Sequence, residues 1–362
     1  MATVLPLRPA AAPRSLVLRP AVAAHRGASG HRPEHTLEAY RTAIRMGADA
    51  IEVDLVPTAD GVLLARHENE LSRTTDVASV RRFARRRRVG SVDGKTQRGW
   101  FTEDFTVAEV KRLTARERKP RLRPANTLYD GREGVPTLDE VLAMASAEGA
   151  RRGRTVGLLL ELKTPTHFAG LGLDLVDPLL TALRRHGLDT AVSDVAVMAF
   201  ETGVLRRVAQ RSRVAVVQLL GAAHRRPWDL KVAGDRRTYG DLASPEGLAW
   251  VDEYADGLGA TKELVLPVTE TGAHAAPTPL VAEAHRLGLT VHVWTLRAEN
   301  RFLPPALRAY DDTSTTGDMA AEVRAFLAAG VDGVITDHPD IAVVARDAFA
   351  PAAAERRGEQ AR

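Results

Sequence analysis

The chain of 362 residues contains no cysteine. Disulfides, thiolate nucleophiles and Cys-ligated zinc or iron–sulfur sites are therefore excluded, while the redox compartment stays open. Aromatic residues make up 5%, and none interleave the six arginines of "RRFARRRR" (81–88) at stacking spacing, so that run reads as a solvated face and no nucleic-acid partner is expected. No window approaches the roughly 18 consecutive apolar residues of a membrane span, so no stable membrane insertion is expected. The start, "MATVLPLRPAAAPRSLVLRP", is broken by prolines and arginines where a secretory signal needs an uninterrupted apolar stretch, and predicts a cytoplasmic chain. Net charge is only +4, an excess compatible with an anionic substrate.

What is present is a composition of 44% hydrophobic and 27% charged residues, enough for a substantial core. Short apolar runs ("LVLRPAVAAH", "DAIEVDLV", "VGLLLELK", "VAVMAF", "VAVVQLL", "LTVHVWTL", "VDGVIT") alternate with amphipathic stretches such as "TLEAYRTAIRMG" and "DPLLTALRRHG". That alternation predicts an α/β fold with parallel strands. "GVLLARH" follows "IEVDLV" after only "PTADG", too short for a helical crossover, and predicts a hairpin-like excursion. With "ADGLGATKELVLP" the candidate strands number about nine, one more than an eight-stranded barrel holds.

Thr106/Glu109 and Thr137/Glu140 have capping-box spacing, and Gly47, Gly149, Gly187 and Gly288 stand where helices are expected to stop. Residues 68–136, with "RRFARRRR" and "RERKPRLRP", break the pattern and are expected to form a rim insertion in a domain spanning 21–346. Residues 1–20, 347–362 and a second irregular segment, about 223–262, are expected outside the core.

Glu52 and Asp54 in "IEVDL" leave one face of a strand, and two carboxylates in an apolar strand repel unless a cation neutralises them. A carboxylate pair at a solvated strand end remains the alternative. Glu161 and Lys163 in "LLLELK" repeat the pattern, and three oxygen ligands suit Ca²⁺ or Mg²⁺. His25 and His67 each end an apolar run, which in a barrel means the rim where active sites are built, so they form a candidate acid/base pair. Arg26 can offer a donor fork to a phosphate and Gly27 can permit close backbone approach. Trp294 either walls the pocket or packs in the core. His31, Arg32, His35 and Asp337 read as loop residues, with Thr36 capping the helix that runs to Met46.

Taken in order, "HRG", "PEHT", "GADAIEVDL", "DGVLLARH", "LLLELK", "VHVWTL" and "GVDGVITDHPD" resemble the motifs of the glycerophosphodiester phosphodiesterase family from about residue 22 to 345. "LSRTTDV", "GWFTEDFTVAEVKRL" and "VPTLDEVL" resemble its longer bacterial, often periplasmic branch. The resemblance implies a TIM (βα)₈ barrel of the phosphatidylinositol-phosphodiesterase type and one divalent cation, Ca²⁺ or Mg²⁺, on Glu52, Asp54 and Glu161. It further implies His25 and His67 as the acid/base pair, Arg26 and Lys163 on the phosphate, and Glu34 near the metal and the substrate glycerol. The implied reaction turns a small glycerophosphodiester into glycerol 3-phosphate and an alcohol through a cyclic phosphate. A lysophospholipase D or sphingomyelinase D-like activity, or non-catalytic anion binding, are the alternatives. Two departures, His35 where the family has Asn and Glu68 where it has Asp, are expected to occupy no metal or catalytic position but to shift the hydrogen bonds around them.

Overall fold

The computed structural model describes residues 15–360. Residues 1–14 of the expected extension, and 361 and 362 of the expected tail, lie outside the described residues. Eight parallel strands close into a barrel in the order β1 (Ala21–His25), β2 (Ala50–Pro57), β6 (Gly157–Leu162), β7 (Val195–Ala199), β8 (Ala215–Leu220), β9 (Gly257–Thr261), β10 (Thr290–Leu296) and β11 (Gly333–Thr336). Pairing of β11 back to β1 completes the ring.

The strands are buried on both faces, which explains why they read as continuous apolar runs rather than alternating ones. One face of β2 sends Ile51, Val53 and Leu55 into the large layer shared with the helices. The opposite face of the barrel wall supplies small interior clusters of Ala23, Ala50 and Ile335, and of Met198, Val217 and Leu219, with Trp294 packed against both. Among the described residues, no helix is long and apolar enough to cross a membrane.

The surplus strand is β3 (Leu63–Ala65), which runs antiparallel to β2 and stands outside the ring. His67 therefore does not finish a barrel strand. It reaches the rim on a segment descending toward it, whose Arg66 amide still bonds the Asp54 carbonyl at 2.8 Å.

The insertion is folded. A two-stranded ribbon, β4 (Arg88–Val92) and β5 (Lys95–Gly99), and short 3₁₀ turns surround Phe83, Trp100, Phe101 and Phe105, all buried. The arginine run is not simply a solvated face: Arg86 lies 4.9 Å from the Phe105 ring centre, Arg88 4.4 Å from that of Phe101, and Arg86 pairs with Glu109 at 2.6 Å. The aromatics it stacks on come mostly from further along the chain, which is why spacing within the run did not reveal them.

Three further expectations change. Gly149 lies inside the helix Leu138–Arg152, which stops at Gly153 with φ 65°. The segment 223–262 contains helices Trp228–Val232, Tyr239–Leu242 and Pro245–Asp252 and the barrel strand β9. The last helix, Pro339–Gln360, runs on through most of the expected tail. Both predicted capping boxes, at Thr106/Glu109 and Thr137/Glu140, are formed.

Candidate active site

The C-terminal ends of the strands open into one cavity of about 530 Å³, lined on one side by His25, Arg26, Glu52, His67, Glu161 and Lys163. Glu52 and Asp54 sit on neighbouring turns of the β2 pleat, and the register of β2 with β6 places Glu161 directly opposite Asp54. Single oxygens of the three carboxylates lie within 4.8 Å of one another, and all three side chains are buried. Burial, then Asp54 and Glu161, push the Glu52 carboxyl well above its ordinary range. Burial likewise lifts Glu161 to about 7, Lys163 opposing and Asp54 adding to the rise. Asp54 is held well below the usual range because Lys163 and Arg26 outweigh its burial. Its Oδ1 is buried without a hydrogen-bond partner. A crowded, repelling set of hard oxygen donors with one unsatisfied atom fits a divalent cation.

The cluster is hemmed by cations. The Lys163 ammonium donates to Glu161 at 2.6 Å and stands 3.5 Å from Asp54. Arg26 gives its backbone N–H to Glu52 at 2.9 Å, and its Nε lies 3.1 Å from Asp54. Arg26 adopts φ 59° and Gly27 φ 83°, so the chain turns sharply as β1 ends. A Cβ at Gly27 would come within 2.7 Å of the Ala39 backbone. Close approach at Gly27 is therefore to the first helix, Leu37–Arg45, rather than to a ligand.

His25 donates from Nδ1 to Asp337 at 2.6 Å, a geometry that leaves Nε2 as an acceptor. Arg123 and Arg297 also hold Asp337, at 2.6 and 2.7 Å, and outweigh burial to keep its carboxyl well below the usual range. Burial and Arg26 push the His25 imidazole down to about 3 against the pull of Asp337. Burial, Arg26 and Lys163 do the same to His67, also to about 3. His67 Nδ1 lies 3.0 Å from Glu68 without the alignment of a hydrogen bond.

Sequence reasoning missed several residues here. Asp337, read as loop, is the buried partner of His25, and Arg123 and Arg297 are its anchors; each comes from a different segment, so no local spacing joined them. The two departures stand beside the proposed metal and acid/base residues rather than among them. His35 Nε2 meets Asp54 at 2.8 Å with Tyr40 on its other nitrogen at 2.7 Å, and Glu68 stands between His67 and Arg118. Glu34 is not part of the cavity wall: Arg26 lies 3.2 Å from it and Arg118 grips it at 2.5 and 2.6 Å. Trp294 combines the two alternatives, packing inside the barrel and lining the cavity, with its indole N–H on the Gly259 carbonyl at 2.8 Å. His31 is half-buried against Asp340, 3.0 Å away.

A parallel barrel whose C-terminal rim gathers a carboxylate triad, a cationic fringe and two imidazoles around one cavity defines a TIM-barrel enzyme. The glycerophosphoryl diester phosphodiesterase family pattern matches residues 25–341. A glycerophosphodiester phosphodiesterase of Arabidopsis thaliana is 32% identical over 297 residues, 79% of this chain and 76% of its own length. One from Haemophilus influenzae is 27% identical, covering 89% and 88%. Among solved structures, an Oleispira antarctica phosphodiesterase in complex with the product sn-glycerol-3-phosphate superposes with TM-score 0.58 at 21% identity, over 91% of this chain and 97% of that one, a likeness of fold. The chain belongs to the glycerophosphoryl diester phosphodiesterase family and is by class a phosphoric diester hydrolase.

Proposed function

We propose that this chain hydrolyses glycerophosphodiesters to glycerol 3-phosphate and an alcohol, with His25 and His67 as the acid/base pair. The observation that carries the reading is the meeting, in one cavity of a member of this family, of both imidazoles with Glu52, Glu161, Arg26 and Lys163. The product named for the Oleispira phosphodiesterase supports the same substrate class.

Glu52, Asp54 and Glu161 are the residues that would hold a Ca²⁺ or Mg²⁺ ion, which when bound supplies positive charge to the phosphoryl oxygens. Lys163 and Arg26 add fixed cations beside it and orient the diester, and Trp294, Met198 and Leu219 supply apolar surface on the far wall. With Nδ1 committed to Asp337, His25 presents Nε2 to take the proton from the glycerol 2-hydroxyl as its oxygen attacks phosphorus. The bond from phosphorus to the alcohol breaks, and His67, which enters this step protonated because the bound diester anion favours the imidazolium, delivers its proton to the departing oxygen, leaving a cyclic phosphate. Water then opens the ring with the roles exchanged: His67 takes the proton of the water and His25 returns one to the 2-oxygen. Asp337 steadies His25 while it carries charge, as Glu68 does for His67.

Glycerol 3-phosphate release is measured from a panel of glycerophosphodiesters with Ca²⁺, Mg²⁺ or EDTA. Release that EDTA abolishes and one of the cations restores is expected; no release from any diester overturns the reading.

A further inference from the structure

The cavity does not end at Trp294. Arg301 and Phe302 line both it and a second groove of about 480 Å³, whose other walls are residues 118–122 of the insertion. In "RERKPRLRP" the basic residues divide. Arg118 and Arg123 bind carboxylates, Glu34 and Glu68 for the first, Glu299 and Asp337 for the second. Lys119 and Arg121 line the groove beside Arg118. Among the described residues, no ion pair includes Lys119, Arg121 or Arg301, although neighbouring Arg297 has Asp337. Arg121 and Arg301 are exposed and Lys119 is half-buried. Burial and the charge of Arg297 push the Lys119 ammonium down to about 8, as expected where cations crowd with too little opposing charge.

The aromatic rings tell against a cationic occupant. A quaternary ammonium is held by open aromatic faces. Here the Phe302 ring already has the Arg297 guanidinium at 4.7 Å and the Lys119 ammonium at 5.7 Å, and the Phe200 ring has Lys163 at 5.6 Å. A cationic headgroup entering the groove would meet three positive charges that join no ion pair among the described residues; an anionic one would pair with them.

We infer that this groove is a headgroup subsite for glycerophosphodiesters whose alcohol bears a second negative charge, a phosphate monoester or a carboxylate, held by Lys119, Arg121 and Arg301. The inference rests on the diesterase activity proposed above and adds its selectivity. Each exposed charge pair contributes a factor of roughly 1.4 to 5, so the three cations together give a preference of about tenfold.

The test compares kcat/KM for four diesters: glycerophosphocholine, glycerophosphoglycerol, glycerophosphoglycerol carrying a terminal phosphate, and glycerophosphoglycerate. The wild-type chain, the single variant Arg301→Gln and the triple variant Lys119→Gln/Arg121→Gln/Arg301→Gln are assayed at low and high salt. Expected is about a tenfold preference for one or both anionic diesters over glycerophosphoglycerol, with glycerophosphocholine lowest. That preference should weaken in Arg301→Gln, largely vanish in the triple variant and shrink in high salt. A phosphate-only preference identifies the phosphate monoester, and an equal one identifies charge alone. Equal kcat/KM across the panel, a preference for glycerophosphocholine, or variants that slow every diester by one factor overturn the inference while leaving the activity standing. No turnover of any diester overturns the proposed function itself, and the subsite with it.

Discussion

The two halves of the barrel mouth are built on opposite plans. Around β1, β2 and β6 nearly every charged side chain is buried and answered: Asp54 by Arg26, His35 and Lys163, Glu34 by Arg26 and Arg118, Asp337 by His25, Arg123 and Arg297. Across the mouth, toward β8 to β10, the wall is Leu219, Trp294 and Phe302, and beyond it Lys119, Arg121 and Arg301 join no ion pair among the described residues. Buried networks hold atoms in place because a misplaced partner leaves a charge uncompensated. Exposed cations can adapt to what arrives. On the function proposed above, chemistry falls to the first half and choice of headgroup to the second.

The strongest way to break this division is at the imidazoles. His25→Ala and His67→Ala should each lower kcat by about 10³-fold, measured as glycerol 3-phosphate release with unchanged circular dichroism. A loss smaller than tenfold in either would remove that residue from the acid/base pair. Asp337→Asn comes next, at about 10²-fold in kcat with little change in KM, because an amide can turn the wrong His25 nitrogen toward the cavity. In the other half Phe302→Ala should raise KM about fivefold and leave kcat within about a factor of two; a kcat loss to match Asp337→Asn would erase the contrast.

Stability sharpens the same comparison. Without a divalent ion the three carboxylates repel, so Glu52→Gln should raise the melting temperature of EDTA-treated protein by a few degrees. The variant should also lose the further rise that Ca²⁺ or Mg²⁺ gives the wild type. The smallest effect is expected just past β7, where burial and the neighbouring Asp229 and Asp93 raise Glu201 to about 8 against the bond from Thr166. A carboxyl whose folded pKa exceeds its unfolded value binds its proton more tightly when folded. Its stabilising contribution is complete below about pH 4.5 and is lost as pH rises toward 8. Melting temperature should fall across that window, and Glu201→Gln should flatten the fall; an unchanged slope assigns the titration elsewhere.

Much of the first half was legible in the sequence because its signals are local. Glu52 and Asp54 two apart in a strand, and Glu161 with Lys163 at the end of another, need only the pleat to be placed together. The α/β class followed from alternating apolar runs, and the closed barrel from the family resemblance. What stayed hidden depends on convergence: Asp337 looked like a loop residue until Arg123, Arg297 and His25 arrived from three distant segments. The reach of His35 stayed hidden for a related reason, since nothing in "PEHT" says its ring meets Asp54 on the next strand. His67 was placed correctly at the rim on the wrong grounds, because β3 runs opposite to the barrel strands.

Arg123 belongs to the insertion, yet its guanidinium touches Asp337, Glu299 and the Ser29 carbonyl. For protein engineering, that makes the insertion a poor candidate for trimming or for exchange between homologous barrels. A shortened hybrid would keep every residue of the carboxylate triad and still lose the brace behind His25. Grafts that leave residues 117 to 126 in place, and cut within the β4–β5 ribbon instead, are the ones that should retain turnover.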